Sequence, residues 1–299
     1  MDLTTIFYHV DNFCKEYAKQ MDARELPLSD QKRNNQYCMS LSEIVSVFVY
    51  HAACSHEFKT FKAFYKHANS ELKSGFPRLV SYGRMTELKE QAQLPLTMFL
   101  LCIFGECTGI SYVDSTKIEA CNIKREYSHK TLKAIAAKGK TGAGWFYGLK
   151  LHLVVNHKGE IINLLLTPGN FADNNHGVID ALTNGIWGKM FGDKGYILNP
   201  HFWEELYKRG MQIIHGLRSN MKQKIMPFFD KILLRKRASV SEGVFSILKD
   251  RMSLQYTKHR SIYGFFCHIL SMLIAYQLRP VKPGITFDCA NNTELLSLA

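Results

Sequence analysis

A chain of 299 residues that is 46% apolar and 21% charged can bury a sizeable core, which excludes wholesale disorder; 20 Gly and 8 Pro are too few for a fibrous chain. The 38 Lys and Arg against 26 Asp and Glu leave a net charge of +12, which predicts a polyanionic partner, nucleic acid or an anionic membrane. The excess sits in two blocks, residues 117–150 at net +6 and 208–260 at net +10, while the remainder is net −4. That is the distribution of a localised footprint.

Residues 1–108 read as a helical domain. Ile44, Val45, Phe48, Val49 and Ala52 recur at helical spacing, as do Phe58, Phe61, Phe64 and Tyr65. Ser40 followed by Glu43 has capping-box spacing, and Ser81 is placed to cap the helix through MTELKEQAQ. Three short helices between about 41 and 92 are compatible with a helix-turn-helix-like unit or an ordinary bundle. At Gly109 the texture changes. ISYVDSTKI, WFYGLKLHLVV and EIINLLLTP predict three consecutive strands, with HKGE at 157–160 as a hairpin turn between the last two. A helix over about 173–184, capped by Asp173 or Asn174, leads to a short strand within KMFGDKGYI. PHFWEELYKRG then reads as a helix, MQIIHGL (211–217) as a strand, and Val240 onward as helical to about Leu278 with a break near 252–258. The expected order is β-β-β-α-β-α-β-α, over 109–280, with 281–299 as a C-terminal tail.

The 17-residue apolar stretch Ile262–Leu278 contains His268 and Gln277, and is expected to be a buried core helix, since a membrane span needs ~20 apolar residues. The eight cysteines form no C-x-x-C pair, so zinc ribbons are unsupported and reduced thiols are expected. No basic leader followed by an apolar stretch opens the sequence, so a cytoplasmic, nucleoid-associated location is expected.

Three carboxylates stand at privileged places. Asp114 lies inside a β-forming apolar run, where burial requires a partner. Asp193 lies where the FGDKGY strand runs out, the end at which open α/β sheets place their sites. Glu242 borders the stripe Val240, Val244, Ile247 and Leu248 of a late helix. Brought together, they would suit hard divalent cations such as Mg²⁺, which favour oxygen ligands. A turn role for Asp114 or Asp193 and a solvated helix position for Glu242 remain open on spacing alone. His152 alternates with apolar neighbours and reads as structural. Trp145, Phe146 and Tyr147 read as core or interface, with base stacking as the alternative. Ser115 has no His-based triad to activate it. The run LLRKRAS suits backbone phosphates.

YVDSTKI, GWFYGLKLHLVVNHKGEIINLLLTPGNFADN, GDKGY and RKRASVSEGVFSILK resemble, in that order, the DDE-type transposases of bacterial insertion sequences. The resemblance spans about 109–280. It implies a ribonuclease-H-like α/β fold, a mixed sheet flanked by helices, preceded here by the N-terminal all-helical domain. It implies that Asp114, Asp193 and Glu242 form the catalytic triad and bind two Mg²⁺ or Mn²⁺ ions. Lys249, seven residues after Glu242, would touch a DNA phosphate, alongside Arg235, Lys236 and Arg237. The family commonly has Arg four residues before the Glu; here that position is Ala238, Arg237 is one further away, and Ser241 stands where an apolar residue is expected. The implied activity is phosphodiester hydrolysis at the element's ends and attack of the freed 3′-OH on target DNA. The implied partners are double-stranded DNA, both terminal inverted repeats and target, and a second copy of the chain in a homodimer, with residues 1–108 binding the ends. A metal-dependent nuclease of the same fold and an inactive DNA-binding relic are the alternatives.

Overall fold

The computed structural model describes residues 2–22, 39–142, 144–216, 225–256 and 258–285. Five helices come first: α1 (Leu3–Asp22), α2 (Leu41–Ala53), α3 (Phe61–Glu71), α4 (Tyr82–Gln91) and α5 (Gln93–Cys102). The start of α2 follows from its capping box. Ser40 Oγ accepts from the Glu43 amide at 3.2 Å while a Glu43 carboxylate oxygen accepts from the Ser40 amide at 2.6 Å. Thr60 and Ser81 cap α3 and α4 through their side-chain oxygens alone, accepting from the Ala63 and Arg84 amides.

Six strands follow: β1 (Ile110–Cys121), β2 (Ala137–Thr141), β3 (Gly144–Asn156), β4 (Ile161–Pro168), β5 (Gly188–Gly192) and β6 (Met211–His215), with α6 (His176–Thr183) and α7 (Pro200–Lys208) between the later ones. The long β3 lies antiparallel to β1 on one side and to β2 and β4 on the other; β5 and β6 continue the sheet beyond β1 in parallel. This is the ribonuclease-H-like sheet, and the expected order holds with β2 added. β2, AKGKT, carries no apolar alternation, so it is set by its pairing with β3 rather than by its own pattern. The β3–β4 hairpin turns at Gly159, whose φ of +77° suits glycine and whose missing Cβ leaves room for the Pro283 carbonyl.

Strand alternation sorts the core into two layers. Tyr112, Leu153, Phe191 and Ile214 pack on one face, and Val113, Val154, Met190 and Ile213 on the other, against α6 and α7. The first face is covered by α8, which runs from Phe228 to Ser246 and continues as a π turn over Ile247–Arg251. Helix therefore begins well before Val240, because Ile232 and Leu233 supply buried positions beneath the basic run. After the expected break comes α9 (Ile262–Gln277), nearly all of it buried against α2, α4 and α5. No helix among the described residues is long and apolar enough to cross a membrane. The six described cysteines are free thiols. Leu217 and residues 286–299 of the expected tail lie outside the described residues.

Candidate active site

The sheet places acids at adjacent strand positions. Asp114 sits mid-β1, and Asp193 directly follows the end of β5, the parallel neighbour of β1. Asp193 Oδ1 accepts from the Gly195 amide at 2.7 Å, folding the DKG turn back on the strand end. Asp114 Oδ1 accepts from the Ser115 amide at 2.8 Å. Its Oδ2 lies 3.4 Å from Arg237 Nη1 on α8. Burial pushes the Asp114 carboxyl up to about 6, and the charges of Asp193 and Asp173 push the same way against the amide and Arg237.

Asp173 is the residue that sequence reasoning misassigned. α6 starts at His176 with Asn175 as its cap, accepting from the Val178 amide at 3.3 Å, so neither Asp173 nor Asn174 caps the helix. Freed from that duty, Asp173 Oδ1 accepts from Ser115 Oγ at 2.8 Å and from Lys150 Nζ at 3.3 Å. Lys150 is 7% exposed and also donates to the Phe171 carbonyl at 2.9 Å. His152 lies wholly buried beside them. One ring nitrogen bonds Thr167 Oγ1 at 3.0 Å, and Nδ1 stands 3.8 Å from Asp173 Oδ1. Burial first, then Lys150, lowers His152 to about 4 against the pull of Asp173.

Tyr196 joins the two carboxylate positions. It is buried, and burial holds its phenol well above the ordinary value, with Asp173, Asp114 and Asp193 all acting in the same direction. Gly195 belongs to the same crowding: a Cβ there would stand 2.8 Å from Asp193 Oδ1 and 3.6 Å from Asp173 Oδ2. Asp114, Asp193 and Asp173 thus converge from β1, β5 and the segment before α6.

Glu242 is on α8, exposed, about 100° around the helix from buried Ser241. The described residues contain no group of three His, Cys, Asp or Glu gathered closely enough to hold an ion, so Glu242 does not complete such a set with Asp114 and Asp193. The α8 residues that meet Asp114 are Arg237 and Ser241; Ser241 lines a small void with Asp114 and Tyr112, and its Oγ is buried without a hydrogen-bond partner. An under-compensated carboxylate next to an orphaned hydroxyl fits a hard cation in donor chemistry. Of the three acids expected at such a site, Asp114 and Asp193 are close enough for the charge of Asp193 to act on Asp114. Arg235 and Lys236 are exposed on α8. Lys249 falls on the π turn, its Nζ 5.7 Å from the Phe245 ring centroid. The wider turn shifts it out of the two-turn register expected of an unbroken helix after Glu242.

Of the aromatic trio, Phe146 and Tyr147 are buried as expected. Trp145 is 59% exposed, between Lys138 and Lys140 at 5.7 and 5.6 Å. It stands at the outer end of β3, opposite Lys140 of β2.

A family model described as a transposase DDE domain matches residues 104–262, more than half of the chain. No curated protein and no solved structure gives a match.

Proposed function

The chain belongs to the transposases that carry a DDE domain, and on that premise we propose that it cuts the ends of a bacterial insertion sequence and joins the resulting 3′-OH to target DNA. Asp114, Asp193 and Glu242 form the acidic set in this reading. These three carboxylates would hold the divalent ions, Mg²⁺ or Mn²⁺, that would supply Lewis-acid stabilisation of the phosphoryl oxygens. Asp114 and Asp193 are held ready by the Ser115 and Gly195 amides. Glu242 joins them by a turn of α8 about its axis, for which the π turn at 247–251 gives slack. Arg235, Lys236 and Lys249 grip backbone phosphates, and Arg237 exchanges the Asp114 carboxylate for a phosphate oxygen. Residues 1–108 read the terminal inverted repeats, and two copies of the chain hold two ends together.

The observation that carries this reading is the convergence of Asp114 and Asp193 at neighbouring strands with the Asp114 carboxyl raised to about 6. The test is Asp114→Ala and Glu242→Ala. Both are expected to keep end binding in Ca²⁺ and to lose Mg²⁺-dependent cleavage. A second reading is favoured by one observation, the Arg237–Asp114 ion pair with Glu242 left outside. It is an inactive relic that binds DNA, and a parent protein that cleaves with no divalent ion would establish it. Cleavage of paired ends without joined products would instead identify a nuclease.

A further inference from the structure

A second polar cluster lies outside the acidic site. A cavity of about 350 Å³ opens between α2, α3, α4 and the start of α9. Lys62, Lys89, Lys258 and Arg260 line it, and no Asp or Glu does. Among the described residues none of these four cations has an ion-pair partner. Lys89 instead stands 4.2 Å over the Phe61 ring, and burial lowers its pKa, the mark of a desolvated charge without a counter-charge.

Two helix starts meet the same space. Thr60 caps α3 and Ser261 caps α9, accepting from the Ala63 and Gly264 amides at 3.2 and 3.0 Å, and both caps line the cavity. Each start leaves amides without intrahelical partners and carries the positive end of the helix dipole. The wall is completed by His51, His259 and His268. Each uses Nε2 on a backbone carbonyl, of Phe58, Tyr256 and Ser253 at 3.2, 3.1 and 3.1 Å. Those acceptors fix Nε2 as the protonated nitrogen of each neutral ring.

The chemistry of an occupant follows. A metal cation is disfavoured, because the Lys89 charge already bears on all three imidazoles. A neutral ligand would leave the partly desolvated Lys89 uncompensated. An anion with several acceptor oxygens can meet ammonium, guanidinium and helix-start amides together. We propose that this cavity binds a phosphate group, supplied by a DNA strand or by a free phosphate, with Lys89 and Arg260 as its charge partners. The site uses none of the acidic residues, so it stands or falls apart from the proposed reaction.

The experiment titrates the full chain with inorganic phosphate by calorimetry, and with a labelled 5′-phosphorylated duplex by anisotropy. The parent, Lys89→Gln, Arg260→Gln and, as a control remote from both clusters, Ser40→Ala are compared. Arg260 is exposed, so its replacement leaves the fold intact even if Lys89→Gln does not. The expected result is a loss of affinity of about tenfold or more in both cavity variants and no change in the control. Weaker duplex binding in the two variants assigns the phosphate to a strand. Weaker inorganic phosphate binding with duplex binding unchanged assigns it to a free phosphate. Variants that match the parent for both probes would overturn the proposal.

Discussion

The acidic cluster at Asp114 and the basic cavity at Lys89 are two answers to the same physical problem. Each gathers groups of like charge around at least one that is partly desolvated. Burial drives the Asp114 carboxyl up to about 6 and drives His51, His259 and His268 down to about 3, 3 and 4. The acids are partly compensated inside the chain by Arg237 and Lys150. In the cavity, Lys89 has no ion-pair partner among the described residues and stands over the Phe61 ring, while Lys62, Lys258 and Arg260 face solvent. A site with built-in counter-charges is anchored within the fold, whereas one without them is set up for an outside ion.

The comparison is broken most strongly by removing an internal counter-charge. Asp173→Ala leaves Lys150 buried with only the Phe171 carbonyl, and a loss of about 3 kcal/mol or more in urea unfolding is expected. Little loss would show that Lys150 does not need the carboxylate. Asp114→Asn has the opposite sign. An acid whose folded pKa is raised destabilises the fold above that pKa, so the amide is expected to raise stability at pH 7 by about 1–2 kcal/mol while abolishing cleavage. Thermal melts of the two proteins at pH 7 and pH 4.5 check it, since the gap must close as Asp114 protonates.

The histidines supply the contrasting pH response. Their folded pKa values lie below the unfolded value near ~6.5, so their contribution is fully present above that pH and is lost as pH falls towards 4. The expected decline is about 1 kcal/mol per pH unit for each histidine that must stay neutral, read from urea midpoints between pH 7 and 4.5. A flat profile over that window would contradict the burial of these rings. The smallest effect is expected far from both clusters. Ser40→Ala removes the α2 capping box at a cost of about 1 kcal/mol, with no change in DNA cleavage or phosphate binding.

Much of this was legible in the sequence where the signal is local. The alternation in WFYGLKLHLVV gave β3, Ser40-x-x-Glu43 gave the start of α2, and Asp193 does follow the end of β5 as its sequence context implied. Asp173 was missed because it opens an Asp-Asn-Asn run in which all three side chains can cap a helix; only the path of the chain decides that Asn175 does so. Trp145 shares an apolar segment with buried Phe146 and Tyr147, and its exposure follows from β3 outrunning β1 and β4 at this end. The basic cavity left no sequence signal at all. His51, Lys89 and His259 are remote along the chain and individually ordinary, and α9 alone brings them together.

That placement of α9 has a consequence for how the molecule is made. The helix occupies the centre of the N-terminal helices, yet it is synthesised after the entire sheet. Helices α2 to α5 emerge from the ribosome lacking the element that dries their inner faces. They must wait through some 160 residues of translation. Chaperone dependence during synthesis, and failure of a proteolytic cut between Cys102 and Ile110 to release two stable halves, are what such a late keystone entails.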